Sequence, residues 1–131
     1  MPRVFLSHIR RDADLAANFA RELRKHGVEP IDVVESVAPG EGFRRAVKSA
    51  IRRADAFVLI LSAPEAAASS WVSYELGVAE ALGKPILLVL SHNHTASQLP
   101  SDMAELAILS FDPMRPELVG GEIADRLLAA A

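Results

Sequence analysis

The sequence predicts an α/β fold, an open, doubly wound parallel sheet of five strands with helices on both faces. Three observations predict it. Short apolar runs rich in strand formers alternate along the chain with segments whose apolar residues recur at helical spacing, the alternation that builds βαβ units. One of those runs, 55–62, is continuously apolar between its ends, as a strand covered on both faces requires. At 131 residues the chain can build one hydrophobic core but not two, so one domain over 1–131 is expected.

The elements follow in order. Residues 3–8 are a short apolar run ending in Ser7 and His8, a buried first strand. Asp12 is placed to cap a helix carrying Leu15, Phe19 and Leu23 on one face, and Gly27 closes it. Residues 28–34 form a second strand that Pro30 assigns to a sheet edge, because proline donates no ladder hydrogen bond. The Pro-Gly stretch 35–42 reads as an exposed loop, followed by a helix with Phe43, Val47, Ile51 and Ala54 on one face. The central strand 55–62 comes next, then Pro64 and an alanine-rich connection. Ser69 or Ser70 caps a helix over 71–82 that Gly83 ends. Strand 86–90, a polar stretch 91–97, a helical turn near 100–105, strand 106–111 and a helix over 117–128 complete the chain. Right-handed crossovers then give one parallel sheet.

Composition removes whole classes of function. The chain has no cysteine, which excludes disulfides, thiolate metal sites and cysteine nucleophiles. A net charge of −3 lacks the positive field that holds a phosphate backbone, so nucleic acid is not an expected partner. No apolar run approaches the ~20 residues that cross a bilayer, and the start of the chain lacks a secretory pattern. No membrane association and a cytoplasmic location are the expectations. Basic residues are mostly arginine and alanine is abundant, as in proteins of GC-rich bacterial genomes.

In open sheets of this kind ligands bind beyond the carboxyl ends of the strands where strand order reverses. For the flavodoxin-like order 2-1-3-4-5 that place lies between the first and third strands. Ser7, His8, Ile9 and Arg10 follow the first of these, Ser62 follows the third, and the helix starting near Ser70 rises from the same edge. Glu75 stands about one turn into that helix. It is too late for a capping box with Ser69 or Ser70, whose third following residues are Val72 and Ser73. It has no intrahelical ion partner either, since Trp71 and Ala79 occupy the neighbouring positions. A favourable place near the positive end of the helix and plain solvent exposure stay open beside a functional role. Trp71, four residues earlier, shares its helix face, either as an aromatic wall beside the carboxylate or as core packing.

Other motifs carry less. His92 and His94 have a spacing that can serve one metal, but no carboxylate or third histidine is near in sequence, and solvated loop residues is the reading kept; no metal site is assigned. Arg44, Arg45, Lys48, Arg52 and Arg53 make one helix strongly basic, a solvated face or an interface. A phosphorylatable aspartate after the third strand is missing, which discards a receiver domain. Ser7 to Asp14 contains no glycine, which discards dinucleotide and P-loop phosphate cradles.

With Phe5-Leu6-Ser7-His8, the glycine loop, the central strand ending in Leu61-Ser62 and Ser70-Trp71-Val72-Ser73-Tyr74-Glu75-Leu76 in that order, most of the chain resembles the TIR (Toll/interleukin-1 receptor) domain family. It is similar in particular to bacterial NAD-cleaving members, in which a tryptophan four residues before a glutamate marks this helix. That resemblance implies cleavage of the nicotinamide–ribose bond of NAD+, as a glycohydrolase or also a cyclase, in bacterial immune defence or as an effector. It implies NAD+ as substrate with no separate cofactor, Glu75 as catalytic carboxylate, and Ser7, His8, Arg10, Ser62 and Trp71 as substrate-binding residues. The stretch 37–43, with Pro39, Gly40 and Phe43, corresponds to the family's BB loop, which covers the site and contacts a neighbouring domain. Homotypic assembly, and a separate sensor or effector protein, are the implied protein partners. The alternative is a non-catalytic module that signals by homotypic assembly. His8 stands where the family often has tyrosine or serine, and Ser73 where cysteine is frequent.

Overall fold

The computed structural model describes residues 2–32, 41–104 and 106–129; for Glu41, Phe43, Asp102, Ala104, Leu128 and Ala129 it describes the backbone alone. Five strands, β1 (Arg3–Ser7), β2 (Glu29–Ile31), β3 (Ala56–Leu61), β4 (Ile86–Ser91) and β5 (Ala107–Phe111), pair in parallel in the order β2-β1-β3-β4-β5. The helices are α1 (Ala13–Lys25), α2 (Glu41–Arg53), α3 (Ser70–Ala81), the short α4 (Ser101–Ala104) and α5 (Glu117–Ala129).

Period-2 alternation along the strands divides the core into two layers. Val4, Leu6, Val58 and Ile60 face the layer holding Phe19 and Leu23 of α1 and Ile123 and Ala124 of α5. Phe5, Phe57, Leu59 and Leu61 face the opposite layer, with Val47 and Ile51 of α2 and Val72 and Leu76 of α3. Every residue of β3 is buried, because helices cover both of its faces. In that second layer Phe5 pairs with Phe57 across β1 and β3, and the two rings stack at 5.7 Å. The same alternation sends Ser7, two residues after Phe5, toward the side of the sheet that α3 covers.

Local signals in the sequence correspond to real terminations. Gly27 and Gly83 have positive φ, +80° and +67°, and close α1 and α3 in the left-handed conformation that glycine adopts without penalty. Pro30 sits in the edge strand β2, where its missing N–H costs no ladder bond. Ser69 caps α3 by accepting from the Val72 N–H at 3.4 Å.

One expectation needs correction, and two connections carry short helices that sequence reasoning did not assign. Asp12 is the residue before α1 but makes no side-chain cap bond; its carboxylate crosses to Ser62 instead, and a 3-10 turn over Arg10–Asp12 leads into the helix. The alanine-rich connection is itself a 3-10 helix, Pro64–Ala68, started by proline at its first position and held by burial of Ala66 and Ala67. The polar stretch after β4 contains another, Ala96–Gln98, opened by a Thr95/Gln98 capping box in which the Thr95 N–H donates to Gln98 Oε1 at 2.8 Å. Residues 33–34 of the expected second strand, and most of the glycine loop, lie outside the described residues.

The α1–α5 contact depends on a glycine. A Cβ on Gly120 would stand 2.2 Å from Glu22 Cβ, an atom too close to its own backbone to swing away. Gly120→Ala is therefore expected to destabilise the fold by about 1–3 kcal/mol despite alanine's better helix propensity. Thermal unfolding checks this, and an unchanged or raised Tm would show that the two helices separate without cost.

Candidate active site

The carboxyl ends of β1 and β3, and the first turns of α3, bring Ser7, His8 and Glu75 together. On α3 the buried positions are Val72, Glu75, Leu76 and Ala79, the spacing of a single core-facing stripe. Glu75 is thus a carboxyl group in a row of apolar side chains, with 0% of its surface exposed. Plain solvent exposure, one of its open readings, is thereby removed. Ser7 donates its hydroxyl to Glu75 Oε1 at 2.6 Å. Glu75 Oε2 is buried and has no hydrogen-bond partner among the described residues.

An ionised carboxylate in such surroundings loses its hydration and regains little. Burial accordingly pushes Glu75 up to about 8; the Ser7 hydrogen bond and the charge of His8 pull the other way, and the charge of Asp32 adds to the rise. A group of this kind exchanges a proton near neutrality, where a reacting carboxyl is most useful.

His8, buried at the end of β1, is held at both ring nitrogens. Nδ1 is 2.8 Å from the Ile9 carbonyl oxygen and Nε2 is 2.6 Å from Asp32 Oδ2, just beyond β2. Burial alone would push His8 down, but the Asp32 hydrogen bond, the Ile9 carbonyl and the charges of Asp32 and Glu75 outweigh it and leave His8 raised.

Ser62 is half-buried at the end of β3, and its hydroxyl donates to Asp12 Oδ1 at 2.5 Å. The backbone N–H of Ser62 also points to Asp12 Oδ2, at 3.4 Å. Ser62 therefore ties the chain after β1 to the end of β3. Arg10 is exposed on the 3-10 turn beside it. Trp71 is partly buried at the margin of the second core layer and stacks on Tyr74 at 5.7 Å, while Arg44 of α2 lies over the Tyr74 ring at 5.8 Å. Trp71 thus does pack against the core. Pro39 and Gly40 lie outside the described residues, and Phe43 falls in α2 with only its backbone described. His92 is exposed and His94 half-buried; among the described residues no three His, Asp or Glu side chains gather to hold a metal.

Sequence reasoning did not single out Asp12 or Asp32. Asp12 resembles an ordinary cap, and Asp32 precedes two valines with no pattern to mark it. Glu75 carried one further signal: Val72, Leu76 and Ala79 around it already trace an inward stripe.

Residues 4–117 match the TIR domain family. Among solved structures, the chain is similar to a metazoan TIR-STING receptor from C. gigas in complex with 2',3'-cGAMP, at 18% identity and a TM-score of 0.76, over 95% of this chain. The chain spans only 38% of that receptor's length. It is also similar to the TIR domain of the Toll-related receptor TRR-2 from Hydra magnipapillata, at 15% identity and a TM-score of 0.73, over 94% of each chain. A CMP N-glycosidase, BcmB, from Clostridium botulinum shares the fold at 18% identity and a TM-score of 0.64, over 92% of this chain and 97% of that one. No curated protein matches the sequence. Among the described residues no helix is long and apolar enough to cross a membrane.

Proposed function

This chain belongs to the TIR domain family, and we propose that it cleaves the nicotinamide–ribose bond of NAD+ with Glu75 as the catalytic carboxylate. The observation that carries the reading is the buried Glu75 carboxyl, one oxygen held by Ser7 and the other without a hydrogen-bond partner among the described residues. Structural roles for a buried carboxyl normally satisfy both oxygens.

The chemistry asks little of the protein beyond one negative charge. As the C1′–N bond breaks, its electron pair stays on the nicotinamide nitrogen, turning a cationic ring into neutral nicotinamide. Positive charge passes to the ribose as an oxocarbenium-like centre, which ionised Glu75 stabilises. Water then adds at C1′ and loses a proton to give ADP-ribose; attack from within the same molecule gives a cyclised product instead. Ser7 orients the carboxylate, while Arg10 and the charge of His8 attract the diphosphate. Trp71 flanks the nicotinamide end. A role in bacterial defence or as an effector is the biological setting that goes with this chemistry.

A second reading, an interaction module that works by homotypic assembly, is favoured by a different observation. An open, largely apolar groove of about 410 Å³ runs between α2 and α3, lined by Lys48, Arg52, Tyr74, Val78 and Leu82 among others. Incubating the purified chain at high concentration with NAD+, and separately with CMP, and following released base by chromatography separates the two readings. Nicotinamide release that Glu75→Ala abolishes supports the enzyme. Release untouched by that substitution removes Glu75 from the reaction, and no release from self-associated protein favours the module. CMP enters the assay because the Clostridium botulinum protein that shares this fold is an N-glycosidase of that nucleotide.

A further inference from the structure

His8 faces an acceptor at each ring nitrogen, the Ile9 carbonyl oxygen at Nδ1 and the Asp32 carboxylate at Nε2. A neutral imidazole carries one N–H, so one of these short contacts would set two lone pairs against each other; an imidazolium donates to both. Placing the proton on Asp32 would also satisfy Nε2. A carboxylate is ordinarily a much weaker base than imidazole, however, and the Asp32 side chain is 39% exposed, where its ionised form keeps part of its hydration. We propose that Asp32 is a positioning residue that holds His8 as an imidazolium at the end of β1, so that the site presents a fixed positive charge beside Glu75. The inference rests on the reading of Glu75 as the reacting carboxylate.

The edge of the sheet is built for this. β2 is only three residues long, and its pairing with β1 ends at Phe5 and Ile31, so Asp32 follows directly where the two strands part and reaches His8 across the gap. Among the described residues, the charged groups that act on His8 are Asp32 from the end of β2 and Glu75 from α3, and both favour its charged form. Those that act on Glu75 are His8 and Asp32, and the pull of His8 exceeds the push of Asp32. An imidazolium therefore eases ionisation of a carboxyl group that its burial resists. Neutral His8 would leave Glu75 protonated to higher pH and inert toward a developing cation.

The test is a pair of side-chain titrations by NMR on the chain without substrate, reading the His8 imidazole nitrogens and the Glu75 carboxyl carbon. In Asp32→Asn the His8 midpoint should fall by at least about one pH unit, the usual effect of losing an opposite charge in contact. The Glu75 midpoint should rise. NAD+ cleavage at neutral pH should drop, by up to roughly tenfold for each unit of that rise, and recover as pH is raised. Asp32→Glu should restore all three. His8→Gln, which removes the charge without touching β2, should also raise the Glu75 midpoint and serves if Asp32→Asn fails to fold. Wild-type His8 found neutral at pH 7, or a Glu75 midpoint unmoved in both variants, overturns the proposal. Titrations that move as expected in a chain that does not cleave NAD+ support the charged pair and remove the catalytic reading. Glu75-dependent cleavage with unmoved titrations does the reverse.

Discussion

Glu75→Gln is expected to lower kcat for NAD+ cleavage by roughly 100- to 1,000-fold, the loss typical of removing one preorganised group that meets charge in the transition state. Glutamine keeps the size of the side chain and can still accept from the Ser7 hydroxyl, so the Ser7 contact at 2.6 Å need not break. What disappears is the negative charge that the proposed reaction sets against the ribose. Because that charge matters only as the glycosidic bond opens, KM should change much less than kcat. The wild-type kcat/KM should also depend on pH in a fixed sense. With Glu75 raised to about 8 and required in its ionised form, the rate climbs as pH rises toward 8 and levels above it. Steady-state assays across pH 6 to 9 check both statements. A mutant retaining a tenth or more of wild-type kcat would remove the carboxylate from the chemical step.

The same substitution should make the protein more stable. Folding raises Glu75 from an ordinary 4.5 to about 8, so the folded state holds its proton more tightly than the unfolded chain does. For a group raised in this way, stability is fully present below about 4.5 and is lost progressively as pH climbs toward 8. Near pH 7 the wild type has given up on the order of 3 kcal/mol, and above 8 on the order of 5 kcal/mol, at 1.36 kcal/mol for each pH unit. Glutamine does not titrate and escapes that loss. Denaturant unfolding of the two proteins should therefore nearly coincide at pH 4.5 and diverge in favour of Glu75→Gln by several kcal/mol at pH 8. His8, also raised, tilts both proteins in the same direction and largely drops out of the difference. Parallel stability curves across this range would mean that Glu75 is hydrated or paired in solution, contrary to its full burial. A residue whose removal strengthens the fold and disables the chemistry is what selection for function at the expense of stability leaves behind.

Much of this was legible in the chain because its signals are local. Apolar periodicity located all five strands and the four long helices, Gly27 and Gly83 marked where two helices stop, and Pro30 marked the sheet edge, since each acts through its own backbone geometry. The spacing around Glu75 by itself excludes a capping box and an intrahelical ion pair. Pairings between distant residues were not legible. Asp12 sits where a helix cap belongs, yet its carboxylate crosses 50 positions to Ser62; Asp32 reaches back 24 positions to His8; Ser7 meets Glu75 across 68. No periodicity records such contacts, because they exist only once β1, β2, β3 and α3 have converged on one edge of the sheet. By itself the sequence determined the α/β architecture and singled out Glu75 as the carboxylate to watch. Tertiary structure alone decided that this carboxylate lies out of water, leaves one oxygen without a partner among the described residues and stands beside a histidine with an acceptor at each nitrogen. The physical reason is that periodicity is set by neighbours along the chain, whereas the hydration and charge of a buried group are set by whatever the fold brings against it.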